Sequence, residues 1–223
     1  MTSCAPAARG VARAAAARDD VPVSTFDERA RTWDTPERRA RAEAVADAIR
    51  AAVPLTGEMR AIEVGAGTGL LGLALGDDVG ELVLADPSAG MLEVVREKLA
   101  DRRDGRVSAL HLDLLADPPP PRPFDLAVSL LVLHHLPDTV AALRAIRALL
   151  LPGGRLALAD LESEDGSFHS PDAEGIHHRG FDPDRLAAKA AEAGFVDVSV
   201  RRATVIERED GRFPVVLLLG RRP

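Results

Sequence analysis

Three groups of residues in this chain have the types and spacing to do chemistry. The first is Glu63, a carboxylate two residues ahead of Gly65-Ala66-Gly67-Thr68-Gly69. Glycines at alternate positions let the backbone turn sharply and approach a ligand with no side chain intervening. The second is Asp86, which closes the apolar run Leu82-Val83-Leu84-Ala85, 21 residues after Gly65. An ionised carboxylate only accepts hydrogen bonds, so it suits a pair of hydroxyls such as those of a ribose. The third is His134-His135 at the end of a long apolar stretch, where an imidazole could remove a proton or contact a substrate. Side chains of neighbours in extended structure point apart, so joint chelation of one ion by this pair is geometrically awkward.

These residues need positioning elements, and the flanking pattern supplies them. Ala61, Ile62 and Val64 suit a buried strand, and Leu70, Leu71, Leu73, Ala74 and Leu75 continue past the glycines at helical spacing. Strand, glycine turn and helix form the first unit of a nucleotide-binding α/β sheet. A dinucleotide fingerprint would be Gly-x-Gly-x-x-Gly, but Leu70 holds its third glycine position and the extra glycine falls at Gly69. A pyrophosphate at a helix N-terminus would meet the charge of Glu63, which suits a cation better. The stretch resembles motif I of the class I S-adenosylmethionine-dependent methyltransferases, whose ligand carries an ammonium and a sulfonium and no phosphate.

Composition narrows the classes. With 223 residues, 46% hydrophobic and 28% charged, the chain reads as one soluble domain with no run long enough for a membrane span. A formal net charge of −7 without a like-charge block argues against nucleic acid as a partner. Cys4 is the only cysteine, so there is no disulfide framework or thiolate cluster, and a cytoplasmic location is expected. The absence of tyrosine excludes a phenol as base. Residues 1–22, rich in Ala and Arg with no sustained apolar face, are expected to be a disordered tail.

Further along, Thr35 as N-cap and Pro36 at the first helical position open a helix whose face is Ala42, Val45, Ala46, Ile49 and Val53. Strands are expected at Val107–Leu112, at Phe124–Leu133 and at Arg155–Leu161, the second buried on both faces. Helices are expected over 88–103 and 138–151, with Pro152-Gly153-Gly154 as the stop of the latter. Strands one and four flank the switch point of such a sheet, so residues 129–135, Ser129, Leu130, His134 and His135 among them, should line the crevice. Residues 162–180 are polar, aperiodic and histidine-containing, and read as a substrate-cap loop in which His177 or His178 is a second candidate for proton removal. The histidines and carboxylates there give no metal-ligand template. A closing helix from Asp182 leads to strands at Val196–Ile206 and Val215–Gly220.

The resemblance extends from Phe26 to the C-terminus. Asp86-Pro87-Ser88-Ala89-Gly90-Met91-Leu92 is similar to the Asp-x-Ser-x-x-Met-Leu run of methyltransferases related to quinone biosynthesis, and Leu133-His134-His135-Leu136-Pro137-Asp138 to motif IV of that group. The resemblance implies an α/β fold with a Rossmann-like seven-stranded, mostly parallel sheet and an antiparallel last strand. It also implies a methyltransferase domain over 23–223 with lid helices over 23–54, in which Phe26 and Trp33 cover the cofactor. The cofactor would be S-adenosylmethionine, held by Glu63, Gly65, Ala66, Gly67, Thr68, Gly69, Asp86 and Pro87, with Met91 near the adenine. Asp113 and Leu114 would meet the adenine amino edge, and Ser129 and Leu130 the crevice. The acceptor would be a small molecule methylated on O, N or C by a monomer or homodimer, with His134 or His177 as base and His135 and His178 as substrate contacts. An NAD(P)-dependent oxidoreductase, a S-adenosylmethionine-binding protein without catalysis, and a metal-dependent methyltransferase are the rival readings.

Overall fold

The computed structural model describes residues 23–223 apart from 103, 171, 172, 174 and 210. The expected tail over 1–22, with Cys4, lies outside the described residues. Seven strands form one sheet: β1 Arg60–Val64, β2 Glu81–Asp86, β3 Val107–His111, β4 Phe124–Leu130, β5 Leu150–Leu161, β6 Val196–Arg208 and β7 Gly211–Arg221. Their spatial order is β3-β2-β1-β4-β5-β7-β6. Strands β1 to β5 run parallel, and β7 inserts antiparallel to both β5 and β6. This is the mostly parallel α/β sheet that the sequence implied, with its switch point between β1 and β4.

Period-two alternation sends each strand's apolar residues to two cores. Leu82 and Leu84 pack with Leu126, Val128 and Leu217 against Val45 and Ile49 of α2 (Pro36–Arg50) and Leu71 and Leu75 of α3 (Leu70–Leu75). On the other face Ile62, Val83 and Leu158 meet Leu143 and Ile146 of α5 (Thr139–Leu149) and Leu186 of α6 (Pro183–Glu192). Each such buried Leu or Ile stabilises the fold by about 1.5–3 kcal/mol before entropy is counted. The helices start on side-chain caps: Thr35 accepts from the Arg38 N–H, Asp138 from Val140 and Ala141, and Asp182 from Arg185. Ser88 caps α4 (Ala89–Leu99) by accepting from the Met91 N–H. Ahead of α2 lies a short helix, α1 (Val23–Arg29), followed by a 3-10 turn over Ala30–Thr32.

Several boundaries differ from expectation: α4 ends at Leu99 rather than 103, β7 begins at Gly211 rather than Val215, and two further differences have a visible cause. Strand β4 stops at Leu130, not Leu133, because Leu131 takes a φ of 59° and turns the chain into a 3-10 helix over Leu133–His135. Apolarity alone could not signal this, since a leucine in the left-handed region is disfavoured. Strand β5 begins at Leu150, and Pro152-Gly153-Gly154 forms an irregularity within it: Phe124 pairs with Leu150 and the next paired residue, Leu126, with Arg155. The prolyl-glycines therefore interrupt a pairing instead of separating helix from strand.

Candidate functional site

The carboxyl ends of β1, β2 and β4 open into a cavity of about 230 Å³. Its floor is the glycine loop, where Gly65, Gly67 and Gly69 all have positive φ (65°, 54° and 79°). At Gly65 a Cβ would also stand 2.6 Å from Val132 Cγ2, so the loop and the start of the 3-10 helix fit only without a side chain there. Glu63 is 2% exposed, accepts from the Gly72 N–H at 2.8 Å and lines the cavity. Burial, and then the charge of Asp86, outweighs that hydrogen bond and pushes its carboxyl up to about 8. Asp86 ties the loop to the next helix: Oδ2 accepts from the Gly67 N–H at 2.7 Å and Oδ1 from the Ser88 N–H at 2.8 Å. Burial raises its carboxyl as well, against those two bonds. Pro87 and Met91 complete that wall, Met91 serving both the core and the cavity.

The N-terminal segment closes over this floor. Phe26 and Trp33 meet edge to face at 6.0 Å, and Phe26 meets His135 at 5.7 Å. Two carboxylates latch the segment down. Asp27 Oδ1 accepts from the Gly90 N–H at 2.7 Å and from Ser88 Oγ, and these two bonds hold its carboxyl below the usual range. Asp34 accepts from Thr68 Oγ1 and pairs with Lys98 at 2.7 Å and Arg39 at 2.9 Å. Burial works against the Asp34 charge, but the bonds from Lys98 and Thr68 outweigh it and lower its pKa.

The histidines divide into levels. His135 lines the cavity, and its Nδ1 donates to the Gly175 carbonyl at 3.1 Å, which leaves Nε2 as the lone-pair nitrogen. Burial, then neighbouring His134, lowers it to about 4, so it is neutral at physiological pH. His134 lies below, 1% exposed, with Nδ1 2.7 Å from Asp160 Oδ1, and its Nε2 is buried without a partner among the described residues. The two rings are 4.1 Å apart. The expectation that they point apart is therefore corrected, because a 3-10 helix, not a strand, carries them. His169, beyond the end of β5, adds a third ring 5.1 Å from His134. No three His, Cys, Asp or Glu among the described residues are grouped to hold a metal ion.

Residues 62–156 match a family described as a methyltransferase domain. An uncharacterized methyltransferase of Geobacillus kaustophilus is 35% identical over 122 residues, 54% of this chain and 55% of that protein. A demethylmenaquinone methyltransferase of Clavibacter sepedonicus is 32% identical over 158 residues, 71% of this chain and 59% of that protein. The chain thus carries a methyltransferase domain over residues 62–156. It spans little more than half the length of these two curated relatives. A Haemonchus contortus phosphoethanolamine N-methyltransferase, solved with phosphomonomethylethanolamine and S-adenosylhomocysteine, shares the fold: TM-score 0.70 at 17% identity, over 91% of this chain and 60% of that one. No helix among the described residues is long and apolar enough to cross a membrane.

Within this methyltransferase domain the cavity brings together Glu63, Gly65, Ala66, Gly67, Thr68, Asp86, Pro87, Met91, Leu130, Phe26, Trp33 and His135 from the residues singled out in the sequence. Others lie elsewhere. Gly69 packs its backbone against Leu84, where a Cβ would stand 2.8 Å from Cδ1. Asp113 Oδ1 caps a turn by accepting from Leu115 and Ala116, and Leu114 packs against the core. Ser129 is buried within β4, its Oγ without a partner among the described residues. The proposed bases His134 and His177 are corrected in position, since neither lines the cavity. The backbone N–H groups of His177 and His178 both donate to the His134 carbonyl, and His178 Nε2 meets the Leu136 carbonyl at 3.0 Å. These two fasten the segment after β5 to the 3-10 helix. Sequence reading missed the parts played by Asp27, Asp34 and Asp160; a capping pattern ahead of Gly90 is the one local signal that could have suggested any of them.

Proposed function

We propose that this domain transfers a methyl group from S-adenosylmethionine to a small-molecule acceptor on O, N or C. The observation that carries the reading is the pair of buried carboxyls, Glu63 and Asp86, set on a glycine loop in one cavity. That donor set fits a ligand with a cationic amino-acid end and a ribose, and it opposes a pyrophosphate. Glu63 would hold the ammonium, Asp86 the ribose hydroxyls, and Met91 with Pro87 the apolar face of the base. When bound, the cofactor supplies an electrophilic methyl on sulfur.

The chain's own residues then align and exclude. Phe26 and Trp33, latched through Asp27 and Asp34, keep water from the floor, and most of the acceleration comes from proximity and alignment. His135 Nε2 supplies a lone pair on a ring that lines the cavity, and is positioned to accept a hydrogen bond or proton from an acceptor hydroxyl or amine. Asp160 fixes the tautomer of His134 behind it. Parallel calorimetric titration with S-adenosylmethionine, S-adenosylhomocysteine and NADH tests the reading. Micromolar binding of the first two alone is the expected result. Binding of NADH, or silence from all three, overturns it.

A further inference from the structure

A second cavity, of about 230 Å³, lies at the opposite end of the sheet from the glycine loop. Ala52 and Val53, just beyond α2, line it together with residues of β5, the start of β6 and the end of β7. Here Arg155 of β5 is paired directly with Arg221 of β7, and Arg221 in turn with Val196 of β6. Ala157 and Ala159, at even spacing from Arg155, pack on the α2 side of the sheet, as do Leu217 and Leu219, at even spacing from Arg221. Alternation therefore sends both guanidinium stems to that same side, as neighbours across the ladder. Like charges directly opposite in an antiparallel pair are destabilising.

One carboxylate offsets them in part. Asp197 Oδ2 accepts from Arg221 Nε at 2.7 Å. It stands at a bulge: pairing runs from Val196–Arg221 to Ser199–Leu219, so β6 contains one more residue than β7 there, and Asp197 takes a φ of 54°. Bulges re-aim side chains, and a non-glycine residue in the left-handed region is uncommon. Arg201, further along this face of β6, donates to the Ala48 carbonyl of α2 at 2.8 Å. Arg155 lines the cavity half-buried, with no hydrogen bond or ion pair among the described residues. The carbonyl end of α2 supplies only about half a negative charge, which the guanidiniums of Arg155, Arg201 and Arg221 exceed even with Asp197 counted.

That surplus suits an oxyanion. Guanidinium forks bind carboxylate and phosphate oxygens in pairs, and the Ser199 hydroxyl on the same wall adds a further donor. Two forks and a hydroxyl call for at least three acceptor oxygens, which a phosphate has and a carboxylate lacks. We propose that Arg155, Arg221 and Ser199 form a second ligand site, for a phosphate group, remote from the candidate active site. Inorganic phosphate and a phosphomonoester both offer this chemistry. The site does not depend on what the glycine-loop cavity binds.

The test titrates wild type, Arg155→Met and Arg155→Lys with inorganic phosphate and with phenyl phosphate at fixed ionic strength. Thermal melts and amide NMR spectra are recorded alongside. Wild type should bind saturably, with a dissociation constant of about 1 mM or lower and resonances shifting at Asp197, Ser199 and Arg221. Arg155→Met should lose about 10-fold or more of that affinity, and Arg155→Lys, which keeps the charge without the fork, a smaller part of it. Tighter binding of phenyl phosphate than of phosphate assigns the site to phosphomonoesters, and the reverse assigns it to the free ion. Absence of binding by wild type overturns the proposal, as do shifts confined to Gly65–Gly69, which place the anion in the other cavity. A lowered melting point in Arg155→Met with phosphate affinity unchanged also overturns it, and makes Arg155 the partner of the α2 carbonyls. If Arg155→Met does not fold, Arg155→Lys and Ser199→Ala decide, and unchanged affinity in both overturns the site.

Discussion

Glu63 is held between a cost and a use. Its carboxyl, ordinarily near 4.5, is raised to about 8 by burial, so the native state carries a proton there that the unfolded chain has released. The stability this gives is full below pH 4.5 and is lost as pH rises through 8. His135 and His169 work oppositely: burial lowers both from 6.5 to about 4, and their contribution is full above 6.5 and lost as pH falls through 4. Above pH 6.5 the histidine contributions are therefore constant. Between pH 6.5 and 8 the ligand-free protein should lose about 1–2 kcal/mol through Glu63, and Glu63→Gln should flatten the slope in urea melts across that interval. A cation bound beside Glu63 favours its ionised form, so donor titration at pH 7 should release protons, seen as a buffer-dependent enthalpy that Glu63→Gln abolishes. Asp86→Ala removes the acceptor of the Gly67 and Ser88 N–H groups. It should weaken donor binding by about 1.5–3 kcal/mol, and unchanged affinity would take Asp86 out of the ribose role.

At the scale of elements, the site is three short segments held in register: the glycine loop, the 3-10 turn after β4, and the N-terminal latch. Loop and turn meet at Gly65 and Val132, with no space for one added carbon. Gly65→Ala, also strained by a φ of 65°, should cost about 1–3 kcal/mol in denaturant unfolding and reduce donor binding. Asp34 serves the latch through Thr68, Lys98 and Arg39 rather than through the sheet. Asp34→Ala should therefore speed amide exchange across 23–33 while exchange in β1 and β4 stays slow. Uniform acceleration in strands and latch alike would make Asp34 a residue of the global fold.

For the whole molecule, the two cores explain which parts are separable. Helix α2 belongs to the core on one face of the sheet, through Val45 and Ile49. Helix α1, by contrast, rests on α4 through the Asp27 contacts. A chain beginning at Asp34 should still unfold cooperatively, because both cores are intact, but should bind donor at least tenfold more weakly for want of Phe26 and Trp33. Loss of a cooperative melt would show that the latch is part of the core.

The sequence alone determined where most strands lie and the floor of the site, because both follow from local rules. Period-two apolarity, caps at Thr35, Ser88, Asp138 and Asp182, and glycines at positive φ are written in contiguous residues. The placement of Glu63 and Asp86 at one cavity follows from the topology of such a sheet. Tertiary structure decided the walls. Leu131 is held in a backbone conformation that its own side chain disfavours, which stacks His134 on His135 and leaves only the latter in the cavity. Asp160 reaches His134 across 26 residues, and Asp27 and Asp34 reach Ser88 and Thr68 across 61 and 34. Pairings at such separations leave no periodic trace in a chain; they exist only once packing has set the distances between elements.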